Sequence, residues 1–165
     1  MSAYDLELLS DVHDRKGFVC GRESLERYLR ETAKGHLAKG VGITRVLVEQ
    51  GVSRTKPILG YFTLTSTLVK AAEWPGVAKG LPVMPVPVVL LGRLAVATDW
   101  QGRGIARLLL AAARQIAAAS MRGTGGIGLA VDPADEELVA FYAKYGFRRV
   151  ESESLRMFLP LDSLC

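Results

Sequence analysis

Apolar residues along the 165-residue chain switch between two spacings, and the switches mark out its elements. Leu25, Tyr28, Leu29, Ala33 and Leu37 recur three or four apart, which predicts a helix over Ser24–Lys39 that Gly40 and Gly42 break. Ile43–Gln50 is a β-rich run, and after a turn through 51–57 the alternating segment Ile58–Val69 reads as its antiparallel partner. A loop rich in Pro and Gly over 71–87 leads into Val88–Ala97, apolar enough for a central strand. Beyond a Gly-rich turn, Ile105 to about Met121 has helical periodicity. A strand over 126–131, a helix, a strand over 147–150 and a last strand near 155–159 complete the chain. Antiparallel strands come first and strand–helix–strand units follow. That order predicts a mixed α+β and α/β architecture, with helices flanking a central mixed sheet.

The helix near the C-terminus has both ends written into the sequence. Asp132 suits the N-cap and Pro133 the first helical position, while Asp135, Glu136 and Glu137 put negative charge where the helix dipole favours it. Gly146 suits the left-handed residue beyond the last turn, and Phe147 resumes as strand.

Length and composition set limits. The chain fits one domain, 1–165, with a substantial core. Met1–Ser10 is too polar for a signal peptide, and the longest apolar run, Leu81–Leu91, is broken by Pro82, Pro85 and Pro87. Cys20 and Cys165 offer neither metal-ligand spacing nor a disulfide framework, so no metal is expected and two reduced thiols in a cytoplasmic protein are.

Charge is distributed unevenly behind a net +4. Between Lys70 and Arg122 seven basic residues (70, 79, 93, 103, 107, 114 and 122) face only Glu73 and Asp99, whereas the segment from Gly123 onward is net acidic. Arg27, Arg30 and Lys34, three and four apart, share one helix face. Such a stripe is either solvated or holds an RNA backbone electrostatically. Arg93 is a further candidate contact, because a charge within an apolar strand is costly unless it reaches an edge, a pocket or a partner.

The Gly-rich turn carries the chemistry. In Leu94-Ala95-Val96-Ala97-Thr98-Asp99-Trp100-Gln101-Gly102-Arg103-Gly104-Ile105-Ala106 a strand enters a turn that opens directly into a helix. Gly102 and Gly104 let backbone N–H groups approach a ligand closely, and the helix start favours a phosphate, with Arg103 and Arg107 adding charge. A dinucleotide fingerprint is excluded by the missing third Gly and by the absence of an acid between Ala106 and Asp132. A P-loop is excluded by the absence of Gly-Lys-Ser/Thr. What remains, Gln101, Gly104 and Ala106 as Gln-x-x-Gly-x-Ala, resembles the coenzyme A pyrophosphate loop of the GNAT superfamily of acyl-CoA-dependent N-acyltransferases. Phe141-Tyr142-x-Lys144-x-Gly146-Phe147 resembles the last helix and turn of the same enzymes. The resemblance implies the GNAT fold and acetyl-CoA as co-substrate. It also implies that Gln101, Gly102, Arg103, Gly104, Ile105 and Ala106 hold the pyrophosphate, that the backbone of Leu94, Ala95 and Val96 binds the pantetheine amides and the oxyanion, and that Tyr142 protonates the departing sulfur.

A second likeness runs from about Leu8 to Val150. His13-Asp14-Arg15-Lys16-Gly17-Phe18-Val19-Cys20-Gly21, Leu59-Gly60-Tyr61-Phe62-Thr63-Leu64 and Leu91-Gly92-Arg93-Leu94-Ala95-Val96 resemble the acetyltransferase toxins of bacterial type II toxin–antitoxin systems. That subgroup implies acetylation of the α-amino group of aminoacyl-tRNA, a block of translation, a homodimer and a ribbon-helix-helix antitoxin. It also gives Arg27, Arg30, Lys34 and Arg93 a tRNA to bind. Ala97-Thr98-Asp99-Trp100 departs from the acid that the subgroup more often places after the valine, and Ala106 replaces the commoner Gly. The strand Val88–Ala97 supplies no carboxylate base. An α-amino group titrates near pKa ~8 against ~10.4 for lysine, so it needs a base less. His13 and His36 are the remaining candidate bases, although a single His on a polar segment is usually only solvated. Two alternatives stay open: a GNAT enzyme acting on a small amine or a protein N-terminus, and a non-catalytic module that binds nucleic acid or an antitoxin.

Overall fold

The computed structural model describes residues 3–52, 54–70, 80, 84–151 and 154–164. Most of the predicted 71–87 loop, including Lys79, lies outside the described residues, as does Cys165. The strands are β1 (Tyr4–Leu8), β2 (His13–Asp14), β3 (Ile43–Glu49), β4 (Lys56–Pro57), β5 (Gly60–Val69), β6 (Val86–Val96), β7 (Gly128–Val131), β8 (Arg148–Arg149) and β9 (Met157–Pro160). The α-helices are α1 (Glu23–Arg27), α2 (Ala33–Lys39), α3 (Ile105–Thr124) and α4 (Glu136–Ala143). A seven-stranded mixed sheet runs in the order β1-β3-β5-β6-β7-β9-β8, with β2 and β4 forming a separate parallel pair. The expected mixed sheet with helices is therefore the fold.

The chain forms two compact units, each built from two segments: Met1–Thr65 with Arg93–Ala113, and Ser66–Gly92 with Arg114–Cys165. In the first, β1 and β5 flank β3 antiparallel, with Leu6 opposite Leu47 and Val46 opposite Tyr61. One face of β3 buries Val46 and Val48 against Leu9, Phe18, Leu29, Ala33 and Tyr61. This is the period-2 burial that alternation along a strand produces. Gly60 allows a close approach: a Cβ there would stand 2.8 Å from Leu109 Cδ1 and 2.9 Å from the Ala95 carbonyl. In the second unit β6 and β7 pair in parallel, β9 lies antiparallel to β7, and Val69, Val86, Val88, Ala130, Val150 and Phe158 form the core.

Two expectations need correction. The helix over Ser24–Lys39 is interrupted by a π-helical turn, Tyr28–Thr32, so its two α-helical segments are short. Asp132 does not cap α4: the N-cap is Asp135, whose carboxylate accepts from the Leu138 N–H at 3.0 Å. Asp132 instead takes a two-point ion pair with Arg156 at 2.6 and 2.7 Å, a long-range partner that outcompetes a local capping role. Strand β1 and the β2–β4 pair went unpredicted, since Asp5 and Glu7 make β1 read as polar surface. Gly146 does take the left-handed conformation, at φ +94°.

Candidate functional site

Strand β6 runs past its neighbour. Its parallel pairing with β7 covers Val89–Leu91 against Leu129–Val131 and then stops. From Gly92 to Val96 the strand has no partner on that side among the described residues, so by alternation the backbone groups of Leu94 and Val96 face a ligand that can add to the edge, except the Val96 carbonyl, which Gln101 takes, while the Ala95 carbonyl faces Gly60. A single 3₁₀ turn, Thr98–Trp100, then leads to the Gly-rich loop.

The loop is shaped by its glycines. Gly102 and Gly104 take φ +77° and +82°, while no described non-glycine residue has positive φ. Left-handed residues alternating with an ordinary one turn successive N–H groups toward the same side, the concavity that binds anions. Leu108 makes the first helical bond of α3, to the Gly104 carbonyl at 3.2 Å. Among the described residues, no backbone acceptor takes the N–H groups from Gly102 to Arg107. An ideal Cβ on either glycine would meet nothing within 4 Å, so the space over the loop is open. Unsatisfied donors, a helix start and open space together fit the pyrophosphate of a coenzyme A thioester. No group of three His, Cys, Asp or Glu that could hold a metal occurs among the described residues.

The Gln101 side chain has a different place from its neighbours. Its amide donates to the Val96 carbonyl at 3.0 Å and to the Cys20 carbonyl at 3.1 Å, stapling the loop to the strand and to the segment before α1. Thr98 adds a backbone and a hydroxyl bond to the Val19 carbonyl, at 2.8 and 3.1 Å. On the other side of that segment the Glu26 carboxylate accepts from the N–H groups of Cys20 and Gly21 at 2.9 and 3.0 Å, and these bonds hold its carboxyl below the usual range. Glu26 carried no signal in the sequence beyond a helix-terminal acid.

The basic residues divide into two kinds. Arg27 pairs with Glu23 at 2.7 Å and approaches Glu31 at 3.8 Å, Arg30 approaches Glu31 at 3.9 Å, and Lys34 bonds Asp11. Arg93, Arg103 and Arg107 have no carboxylate partner among the described residues. Arg103 lies over the Trp100 ring at 4.6 Å, and Arg93 over the Tyr28 ring at 3.6 Å, both cation–π stacks. Tyr28 reads in the sequence as a core position at helical spacing, which hides this contact.

Tyr142 lies on α4 in the second unit, its ring buried between Phe141 and Phe147 at centroid distances of 5.1 and 5.4 Å. No described residue bonds its hydroxyl, yet no buried side-chain oxygen is left unsatisfied, so solvent reaches Oη. Burial pushes its pKa up to about 12, and the phenol keeps its proton at neutral pH. The two histidines are differently placed. His13 is buried, its Nδ1 accepting from the Ser10 N–H at 3.0 Å, which leaves Nε2–H to donate to Glu7 at 2.8 Å. Both nitrogens are used, and a base role has no free lone pair. His36 Nδ1 faces the Tyr28 hydroxyl at 3.1 Å.

Comparison with known proteins agrees with this geometry. Residues 67–149 match the acetyltransferase (GNAT) domain family. A tRNA-acetylating toxin of Mycobacterium tuberculosis is 34% identical over 163 residues, covering 96% of this chain and 93% of that protein. The solved structure of AtaT complexed with acetyl-methionyl-tRNAfMet superposes with a TM-score of 0.88 at 28% identity, over 98% of this chain and 96% of that one. A tyrosine-to-phenylalanine variant of AtaT, bound to the C-terminus of the antitoxin AtaR and acetyl-CoA, gives 0.83 at 25% identity, over 99% and 96%. The open strand end, the left-handed glycine loop and the likeness along nearly the whole chain lead to one assignment: this chain is a GNAT acetyltransferase and belongs to the family of the tRNA-acetylating toxins.

Proposed function

We propose that the chain is the toxin of a type II toxin–antitoxin system, transferring an acetyl group from acetyl-CoA to the α-amino group of aminoacyl-tRNA and so blocking translation. The observation that carries the reading is an open strand edge near Leu94 and Val96 followed, beyond a hydrogen-bonded turn, by the donor-lined loop Gly102–Arg107, in a chain alike along 96% of its length to a tRNA-acetylating toxin. The thioester of acetyl-CoA supplies the activated acyl group and a thiol leaving group. The N–H groups of Gly102, Arg103, Gly104, Ile105 and Ala106 hold its pyrophosphate, and Gln101 keeps their loop in shape through its two carbonyl bonds. Backbone groups of Leu94, Ala95 and Val96 bind the pantetheine amides and stabilise the oxyanion.

Tyr142 acts as the general acid. A phenol raised to about 12 is a proton donor at neutral pH and not a base, and its solvent-reached hydroxyl is available to a departing thiolate. The attacking amine loses its own proton to solvent, since the α-amino group titrates near pKa ~8 and β6 carries no carboxylate. Arg93, with Arg27, Arg30 and Lys34, binds the tRNA. The same reading makes residues 1–165 a single acetyltransferase domain, active as a cytoplasmic homodimer and neutralised by a ribbon-helix-helix antitoxin. The AtaT–AtaR complex supports the antitoxin, and no described helix is long and apolar enough to cross a membrane.

Incubation with labelled acetyl-CoA and total charged tRNA tests the reading. Label is expected in the aminoacyl moiety of charged tRNA and not in deacylated tRNA. Label confined to small amines or protein N-termini would overturn it, as would no turnover at all.

A further inference from the structure

Arg93 sits within the open end of β6, and its surroundings are unusual for a charged group. It is half-buried, and no carboxylate pairs with it among the described residues. Its guanidinium lies 3.6 Å above the ring of Tyr28, which is itself buried and opens the π-helical turn. Such turns appear frequently at functional sites. The Tyr28 hydroxyl is fixed by His36 Nδ1 at 3.1 Å, and the two rings meet edge to face at 5.6 Å. A Cβ added to Gly42 would stand 3.6 Å from the Tyr28 hydroxyl and 3.9 Å from His36 Cβ, so the backbone there closes over the pair.

A half-buried cation without a counter-ion is costly unless something else satisfies it. The ring face offsets only part of that cost. The stack leaves the guanidinium's edge, with its in-plane N–H donors, to a ligand. A planar fork held flat matches the oxygens of a phosphodiester, which a lysine ammonium would contact only as a point charge. The exposed stripe on α1 and α2 is differently situated: Arg27 and Lys34 already bond carboxylates.

We propose that Arg93, held on Tyr28 by the Tyr28–His36 bond, reads a phosphodiester next to the esterified nucleotide and thereby selects aminoacyl esters of an RNA 3′ end over phosphate-free esters of the same amino acid. This rests on the reading that aminoacyl-tRNA is the substrate. Arg93 is the specificity-determining group, and Tyr28 and His36 are positioning residues.

The experiment compares three substrates carrying one amino acid, chosen from the species labelled above: the charged tRNA, an aminoacyl cytidylyl-cytidylyl-adenosine and an aminoacyl adenosine without phosphate. The unaltered protein should prefer the trinucleotide ester to the adenosine ester in kcat/KM. Arg93→Gln should cut that preference roughly 10- to 100-fold, the range expected for loss of a charge-assisted hydrogen-bond pair. Arg93→Lys should restore part of it. Tyr28→Phe, which keeps the ring and loses the bond to His36, should lower it several-fold while acetyl-CoA affinity reports an intact fold. Equal losses on all three substrates, or no loss on the phosphate-bearing ones, would overturn the assignment of Arg93 while leaving the substrate reading intact. Failure of the unaltered protein to acetylate any charged tRNA would overturn both.

Discussion

Two basic regions of the first unit look alike in the sequence and differ in the structure. Arg27, Arg30 and Lys34 line the first helical segments, while Arg93, Arg103 and Arg107 lie at the end of β6 and the start of α3. The first set is met by Glu23, Glu31 and Asp11, the second by aromatic rings and open space. Exposed ion pairs add little stability, but each one removes a charge that a phosphate could otherwise use. A count of basic residues therefore overstates the field of the helix, and the cations around β6 and α3 hold the stronger claim on an anionic substrate.

The largest expected effect lies outside both regions and sets the scale for them. Tyr142→Phe keeps the ring packed between Phe141 and Phe147 and removes only the proton donor, so kcat should fall ~10²–10⁴-fold with KM for both substrates little changed. In cells the substitution should turn a growth-arresting protein into a harmless one. Tyr145→Phe is the control: if it abolishes turnover while Tyr142→Phe does not, the acid is misplaced.

Gly104→Val comes next and tests whether the loop works through its backbone. A valine at φ +82° is strained, and its Cβ occupies the open space over the donors. Acetyl-CoA affinity measured by calorimetry should fall roughly tenfold or more, with little loss of fold. Unchanged affinity would remove the pyrophosphate assignment and leave the cations of β6 and α3 without their partner loop.

Charge changes on the helix stripe should have smaller effects, and in two directions. Reversing Arg27, Arg30 and Lys34 to Glu should raise KM for charged tRNA and make its salt dependence shallower, by less than the loss of Arg93 alone. Removing the acids instead, as Asp11→Asn with Glu23→Gln, should uncover Lys34 and Arg27 and lower that KM a few-fold. If the acid removal does nothing and the reversal is as damaging as Arg93→Gln, the contrast between the two regions is false.

The smallest effect concerns an ion pair that belongs to neither region. The Glu7 carboxyl is lowered below its ordinary value chiefly by hydrogen bonds from Lys56, at 2.9 Å, and from His13. A depressed carboxyl contributes stability that is full above its unfolded value of 4.5 and lost as pH falls through the folded one. Glu7→Gln should thus lower stability by about 1 kcal/mol at neutral pH, and the gap to the unaltered protein should close on acidification. Chemical denaturation at pH 7 and pH 3 measures both. KM values should not move.

Local physics made much of this protein legible. The antiparallel β3–β5 pair, the parallel β6–β7 pair and the left-handed turns at Gly102, Gly104 and Gly146 follow from spacing and from conformations that only glycine takes without strain. The same local logic found the left-handed glycine loop that opens α3, because two glycines just ahead of a helix start favour that turn. It failed where two local options were close in energy. Asp132 and Asp135 both suit an N-cap, and the choice between them was made by Arg156, 24 residues away in sequence.

What the sequence by itself determined is the fold class and the position of the glycine loop, since each rests on contacts between near neighbours or on backbone conformations set residue by residue, while the family was legible through the likeness of its motifs. What only the tertiary structure decided is which charges are free. Lys34 meets Asp11 across 23 residues, Arg93 meets Tyr28 across 65, and His13 is sealed by Glu7 and Ser10. Electrostatic interactions act through space and depend on burial, so the availability of an arginine or a histidine is a property of its surroundings and not of its place in the chain.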